Sequence, residues 1–223
     1  MAPRTANILK PPSKRERNKQ EKRDRILAAA RDAFRSRGYQ HTTLREVAAA
    51  AGIGTGTLFL YAETKEALLV LVFKDELGPV FDHAFGTVPE ADLLSQLLHV
   101  FLIIIEHHAR DPAIARPFVE ELLVIGPHER GELLGFVKGW HEQVKNLVTG
   151  GLARGEVDPA ISADSLSSYV LDLFLAGLRR LMTDRVSRAD CESDLREGLG
   201  ILLAGASVAA APLRRKTEPF DKN

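Results

Sequence analysis

Four kinds of feature in the chain have residue types and spacing that could do chemistry. His107-His108 with Asp111, and His141-Glu142, collect groups that ligate transition metals. Neither an HExxH pattern nor a Cys/His spacing accompanies them, so a metal site is not expected. Gly52-x-Gly54-x-Gly56 has the glycine spacing of a phosphate-cradling loop, but no strand precedes it. Cys191 is the only cysteine. It has no base or resolving thiol near it in sequence, and a single thiol excludes a disulfide framework and a four-thiolate zinc site. The sequence offers no nucleophile elbow and no paired acid–base motif. The expectation is a non-enzyme with no cofactor and no metal.

The fourth feature is a charge distribution. The 223 residues carry 30 Lys and Arg against 30 Asp and Glu, which taken alone argues against a polyanionic partner. The charge is not evenly spread. Residues 1–65 hold 14 Lys and Arg against 6 Asp and Glu, a net of +8, and the rest of the chain carries the compensating −8. A basic part of this kind suits a polyanion. Within it, residues 14–25 form a basic run that reads either as a solvated, disordered tail or as an arm that enters a minor groove or adds nonspecific affinity. The start of the chain has no apolar secretion core. The longest apolar stretch, residues 93–105, is too short for a membrane span of about 20 residues. A cytoplasmic protein with no membrane partner is expected.

The elements that must position these groups read as helix after helix, because no stretch alternates with period two. Ile26, Ala30, Ala33 and Phe34 form one apolar stripe on a helix over 22–37, closed by Gly38. Thr43 and Glu46 have capping-box spacing and open a short helix to about residue 50. A turn through residues 51–54 follows, then a helix over 55–61, then a helix from 65 to 83 capped by Thr64. Short helix, Gly turn and short helix are a helix-turn-helix by spacing. Ala48, Ala51 and Gly52 supply the small contact residues, with Ile53 beneath the turn. In such a motif the second helix enters the major groove with its N-terminal residues toward base edges.

Arg25-Ile-Leu-Ala-Ala-Ala, Phe34-x-x-x-Gly38-Tyr39, Thr42-Thr43, Glu46-Val47-Ala48, Ala51-Gly52-Ile53, Gly56-Thr57-Leu58-Phe59-x-Tyr61 and Lys65-Glu66-x-Leu68 together resemble the tetracycline-repressor (TetR) family. The resemblance implies a homodimeric, all-α regulator. It implies a three-helix, N-terminal helix-turn-helix head on double-stranded operator DNA, and a helical C-terminal domain that dimerises and binds a small effector. Carried over by position, it places Thr42, Thr43, Arg45, Thr55, Gly56, Thr57, Leu60, Tyr61 and Lys65 at the DNA. Thr43, Tyr61 and Lys65 hold phosphates, Gly56 allows close approach, and Thr57 offers a base a hydroxyl or a methyl. The chain departs from the family pattern at Gly54, where Ser is commonest, and at Phe59, which is expected to pack. Leu60 replaces a polar residue or His and suits a thymine methyl, and Ala62 replaces an aromatic.

The expected division is a disordered basic arm over 1–21, a DNA-binding domain over 22–66, an effector and dimerisation domain over 67–207, and a disordered tail over 208–223. The second domain reads as helices over about 91–109, 112–125, 129–154, 162–183 and 188–206. Residues 169–178 are apolar on every side except at Asp172, so that helix needs a second covering surface, which a partner subunit supplies. With the last helix it forms half of a two-fold four-helix interface. Leu166, Val170, Leu173, Leu178, Leu195, Leu199 and Leu202 are its expected contacts, with Gly198, Gly200, Gly205 and Ala206 permitting close approach. Phe101, Ile105, His108, Phe118, Leu122, Trp140, His141, Val144 and Phe174 are the candidates for a pocket around an apolar or aromatic effector. The expected function is a ligand-responsive repressor on a palindromic operator. The alternative is a helical binding protein or enzyme that uses this cavity and carries a vestigial head.

Overall fold

The computed structural model describes residues 13–121, 127–183 and 185–207; for residues 120, 121, 127–134, 136 and 137 it describes the backbone alone. Nine helices and no strand occur among the described residues. They are α1 (Lys14–Arg37), α2 (Leu44–Ala50), α3 (Thr55–Leu58), α4 (Lys65–Gly86), α5 (Leu93–Arg110), α6 (Pro112–Glu121), α7 (Pro127–Ala153), α8 (Ala163–Met182) and α9 (Arg188–Ala206). The fold is all-α. The chain divides into two compact units, one within Met1–Val72 and the other within Phe73–Asn223. The tail expected over 208–223 and the first 12 residues of the expected arm lie outside the described residues.

The first unit is built on the stripe read from the sequence. Ile26, Leu27, Ala30, Ala33 and Phe34 of α1 are buried, as are Tyr39, Val47, Ala48, Ala51, Leu58 and Leu68. Fully burying a side chain such as Phe34 or Ile26 stabilises by roughly 1.5–3 kcal/mol. Phe34 meets Tyr39 edge to face at 5.5 Å. Gly52 turns the chain between α2 and α3 at φ 63, a backbone that residues with a Cβ rarely adopt.

Three expectations for this unit are corrected. Helix α1 starts at Lys14, eight residues before the expected start, so residues 14–21 are not a disordered arm. Ser13 and Glu16 cap it reciprocally, a local signature that the surrounding basic run obscures in the sequence. Helix α3 ends at Leu58, because Leu60 N–H donates to Thr57 and Tyr61 N–H to Leu58, three-residue bonds that tighten the backbone after one turn. Phe59 is 46% exposed and does not pack into the core.

In the second unit α5 supplies the central core face through Leu97, Leu98, Phe101, Ile104 and Ile105. Helix α7 approaches α5 at Gly151, where an added Cβ would lie 2.8 Å from Leu93 Cδ2. Helix α8 packs between α7 and α9. The α8–α9 hairpin closes where Gly198 faces Leu173, an added Cβ coming to 3.0 Å, and where Gly177 faces Cys191. Gly198 therefore serves packing within the chain. At Gly200 and Gly205 an added Cβ meets nothing within 4 Å.

Candidate nucleic-acid interface

Thr43 opens α2 with both halves of the capping box in place. Its hydroxyl donates to Glu46 Oε2 at 2.8 Å and accepts from Glu46 N–H at 3.3 Å, and its own N–H donates to the same carboxylate at 2.9 Å. These bonds, with the Arg37 guanidinium 2.9 Å away, hold the Glu46 carboxyl below its ordinary range. The Thr43 hydroxyl proton is thus engaged inside the cap. Arg45, in the first turn of α2, is exposed and has no hydrogen bond or ion pair among the described residues. Thr42 is corrected: it is 2% exposed, and its hydroxyl donates to the Gly38 and Ala33 carbonyls at 2.9 and 3.2 Å, so it locks the loop before α2 and cannot reach DNA.

Across the turn, Gly54 caps α3 without a side-chain bond, as its lack of a side chain requires. Thr55 and Thr57 are half-buried, and Gly56 is exposed with open space where a Cβ would be. Leu60 is 84% exposed, an apolar group presented to solvent beside α3. The Tyr61 hydroxyl donates to the Lys19 carbonyl at 3.2 Å. Lys65 Nζ donates to the Tyr39 and Gln40 carbonyls at 3.1 and 3.2 Å and lies 4.4 Å from the centre of the Tyr39 ring. An ammonium has three donors, so this clamp leaves one for an anion.

The effector candidates of the second unit are mostly packed against one another. Phe101 stacks on Phe174 at 4.5 Å, Trp140 meets Phe174 edge-on at 5.3 Å, and Phe81 stacks on Trp140 at 5.3 Å. His108 and Phe118 belong to a second grouping around Phe73. Val144 and Ile105 are buried core. His141 Nε2 lies 3.1 Å from the hydroxyls of both Ser167 and Ser168, a link from α7 to α8. Leu122 lies outside the described residues.

Two of these rings carry a buried nitrogen with no partner among the described residues, His108 Nε2 and Trp140 Nε1. His108 Nδ1 lies 2.7 Å from the Ile104 carbonyl, which can only accept, so Nδ1 holds the proton and Nε2 is a bare acceptor. Burial pushes this imidazole down to about 4. Trp140 also lines a cleft of about 620 Å³ between α4 and α7, with Gly78, Phe81, Asp82, Phe85, Gly86, Gly135, Gly139 and Gln143. An added Cβ at any of the four glycines meets nothing within 4 Å. A second cleft, of about 600 Å³, lies along α4 and the outer face of α5, with His83, His99, His107 and Arg110 among its walls.

The family model for bacterial regulatory proteins of the tetR family matches residues 26–72. The HTH-type transcriptional regulator TtgR of Pseudomonas putida is 29% identical over 196 residues, 82% of this chain and 92% of that protein. The first unit is thus similar to the tetR-family DNA-binding segment, and most of the chain is similar to a regulator of that type. The fatty acid metabolism regulator protein of Bacillus subtilis (strain 168) is 26% identical over 144 residues, 63% of this chain and 73% of that one. Among solved structures, Thermus thermophilus FadR, a TetR-family transcriptional repressor in complex with lauroyl-CoA, matches the fold. Its TM-score is 0.70 at 24% identity, covering 90% of this chain and 100% of that chain. These relatives are transcriptional regulators, and the vestigial-head alternative is not favoured.

Two parts of the chain differ from the sequence reading. The glycines around Trp140 are absent from the sequence-based candidates, although Gly135 and Gly139 stand one turn apart on α7 and signal an open helix face. The expected dimer contacts Leu166, Val170, Leu178, Leu195 and Leu199 are corrected, because each is buried in the chain's own core. Leu173 and Leu202 are half-buried. The apolar side chains that α8 and α9 leave uncovered are Tyr169, 62% exposed, Leu175 and Ile201, 68% exposed. Among the described residues no helix is long and apolar enough to cross a membrane.

Proposed function

We propose that this protein is a transcriptional regulator of the tetR type, a cytoplasmic, homodimeric repressor that binds a palindromic operator and releases it when a small apolar or aromatic effector enters the second unit. The DNA half of the reading is supported by the α2–turn–α3 geometry in a chain segment of net charge +8. Arg45, Thr55, Gly56, Thr57 and Leu60 are the proposed base-side contacts. Tyr61, Lys65 and the capped start of α2 at Thr43 are the proposed backbone-side contacts.

The observation that carries the effector half is the pair of unpartnered buried ring nitrogens, Trp140 Nε1 and His108 Nε2. An unsatisfied buried polar group costs about 1–3 kcal/mol, which a ligand can recover. The proposed seat is the glycine-walled cleft lined by Trp140, where an apolar body rests on Phe81 and Phe85. The lauroyl-CoA complex of Thermus thermophilus FadR supports an acyl chain within this apolar class. Helix α4 runs from Lys65, clamped on Tyr39, to the cleft residues Gly78 to Gly86. Movement of α4 on binding would change the separation of two heads that must match half-site spacing. A coupling of about 1–3 kcal/mol suffices for a 5–150-fold loss of operator affinity.

Anisotropy titration on the DNA beside its own gene, with and without fatty acyl-CoAs and planar aromatics, tests the reading. Specific binding that these ligands weaken supports it. Failure of the protein to select any sequence from random duplexes would sink it.

A further inference from the structure

The first two and a half turns of α1 are ordered without burying an apolar face. Residues 14–25 contain no apolar side chain, and 14–22 are exposed throughout. A helix that is polar all round has no face to bury. Its charge is also placed against helix stability, since Lys14, Arg15 and Arg17 crowd the positive end of the helix dipole. The segment is nevertheless capped at Ser13 and fastened in its second turn, where the Tyr61 hydroxyl holds the Lys19 carbonyl.

The basic residues are not spread evenly around this rod. At about 100° per residue, Arg15, Lys19 and Lys22 fall on the line that continues through Ile26, Ala30 and Ala33, the face α1 buries against the rest of the unit. Glu21 and Asp24 fall on the other side, and Glu16 is taken by the cap. Helix α1 thus overhangs its core, and the overhang presents three cations on the side where Tyr61 and the end of α3 lie. None of the three makes an ion pair among the described residues. The stripe spans roughly 10 Å at 1.5 Å per residue, enough to follow a phosphate backbone for two or three charges.

We propose that Arg15, Lys19 and Lys22 form a rigid phosphate-binding stripe that extends the footprint of the helix-turn-helix along the DNA backbone beyond the recognition helix. The partner is duplex DNA, recognised by charge and not by sequence. The inference rests on the reading of the first unit as DNA-binding. The stripe adds affinity and salt dependence while leaving operator choice to α2 and α3. Because it is helical before DNA arrives, binding has no ordering cost for this segment.

The test compares full-length wild type with two variants, Arg15→Gln/Lys19→Gln/Lys22→Gln on the stripe and Lys14→Gln/Arg17→Gln on the opposite side. Gln keeps helix propensity while removing charge, and circular dichroism checks that helix content is unchanged. Operator affinity is measured across salt concentrations. The stripe variant should bind more weakly on operator and unrelated duplex alike. Its log–log salt slope should be shallower than wild type by about 0.9 for each phosphate no longer neutralised. The opposite-side variant should match wild type. Equal effects of both variants, or no change in slope for the stripe variant, overturn the stripe while leaving operator binding intact. An effect of the stripe variant on oligomeric mass but not on the salt slope also overturns it, by assigning the cations to a second copy of the chain. Wild type that binds no duplex specifically fails the DNA reading itself and removes the stripe with it.

Discussion

The Tyr61 hydroxyl donates to the carbonyl oxygen of Lys19 at 3.2 Å, across 42 residues of sequence, and so joins the end of the recognition segment to the early turns of α1. This bond makes one ring serve two elements. Tyr61→Phe keeps the ring and removes the tie. Global stability should fall by less than about 1 kcal/mol, the net worth of a partly exposed hydrogen bond. Amide exchange over residues 14–22 should speed up, because their remaining tertiary support is slight. DNA affinity should drop by a similar factor on every sequence. Unchanged exchange in α1 would show that the tie does not order the arm.

What is legible in the sequence is local. Thr43 and Glu46 are three residues apart, and a capping box needs nothing beyond that spacing, so it is formed as read. The Ser13–Glu16 box has the same spacing but lies in a basic run, and charge composition suggests a tail where the backbone forms a helix. Thr42 is placed at the DNA by its position in the family pattern; only the return of the chain onto Gly38 and Ala33 decides that it faces inward. Residues 169–178 of α8 are apolar on nearly every side, so periodicity cannot say which leucines face the core and which face outward. The cleft at Trp140 depends on glycines of two helices that approach only in the folded chain.

Acid should destabilise the protein well before its carboxylates titrate. His108 has an ordinary value of 6.5 that burial lowers to about 4 in the folded chain. Stability is full above pH 6.5 and falls as the pH drops from 6.5 toward 4, where the unfolded chain takes a proton that the folded one refuses. The loss is roughly 3 kcal/mol by the end of that window. His107, also lowered by burial, adds in the same direction. Urea unfolding at pH 7, 6 and 5 should show the decline, and His108→Phe should flatten most of it. An equal slope in the variant would assign the acid sensitivity elsewhere.

The glycines of α7 should divide by what surrounds them. Gly151→Ala brings a Cβ within 2.8 Å of Leu93 Cδ2, and because Leu93 is buried its side chain must move against the surrounding core. Overpacking costs about 1–3 kcal/mol, against about 1 kcal/mol gained in helix propensity, so a net loss is expected. Gly139→Ala meets open space and should stabilise by up to about 1 kcal/mol. The bulkier Gly139→Leu should narrow the cleft and weaken effector binding without lowering the melting temperature. Trp140 is the only tryptophan, so quenching of intrinsic fluorescence reports occupancy directly. Full ligand response in Gly139→Leu would move the effector away from this cleft.

The proposed dimer surface can be separated from the core by substituting on either side of the α8–α9 hairpin. Leu173 facing Gly198 and Gly177 facing Cys191 set an antiparallel register that brings Tyr169 and Ile201 to the same level. Both are more than half exposed, whereas Leu199 beside them is fully buried. Tyr169→Glu/Ile201→Glu places charge on the outer face, and burying those carboxylates against a partner would be opposed by desolvation. Sedimentation should then report a monomer that keeps its helix content, and operator affinity should fall because two half-sites are no longer engaged together. Leu199→Ala should instead lose about 2–5 kcal/mol of stability. A double variant that still sediments as a dimer would remove the α8–α9 face from the interface.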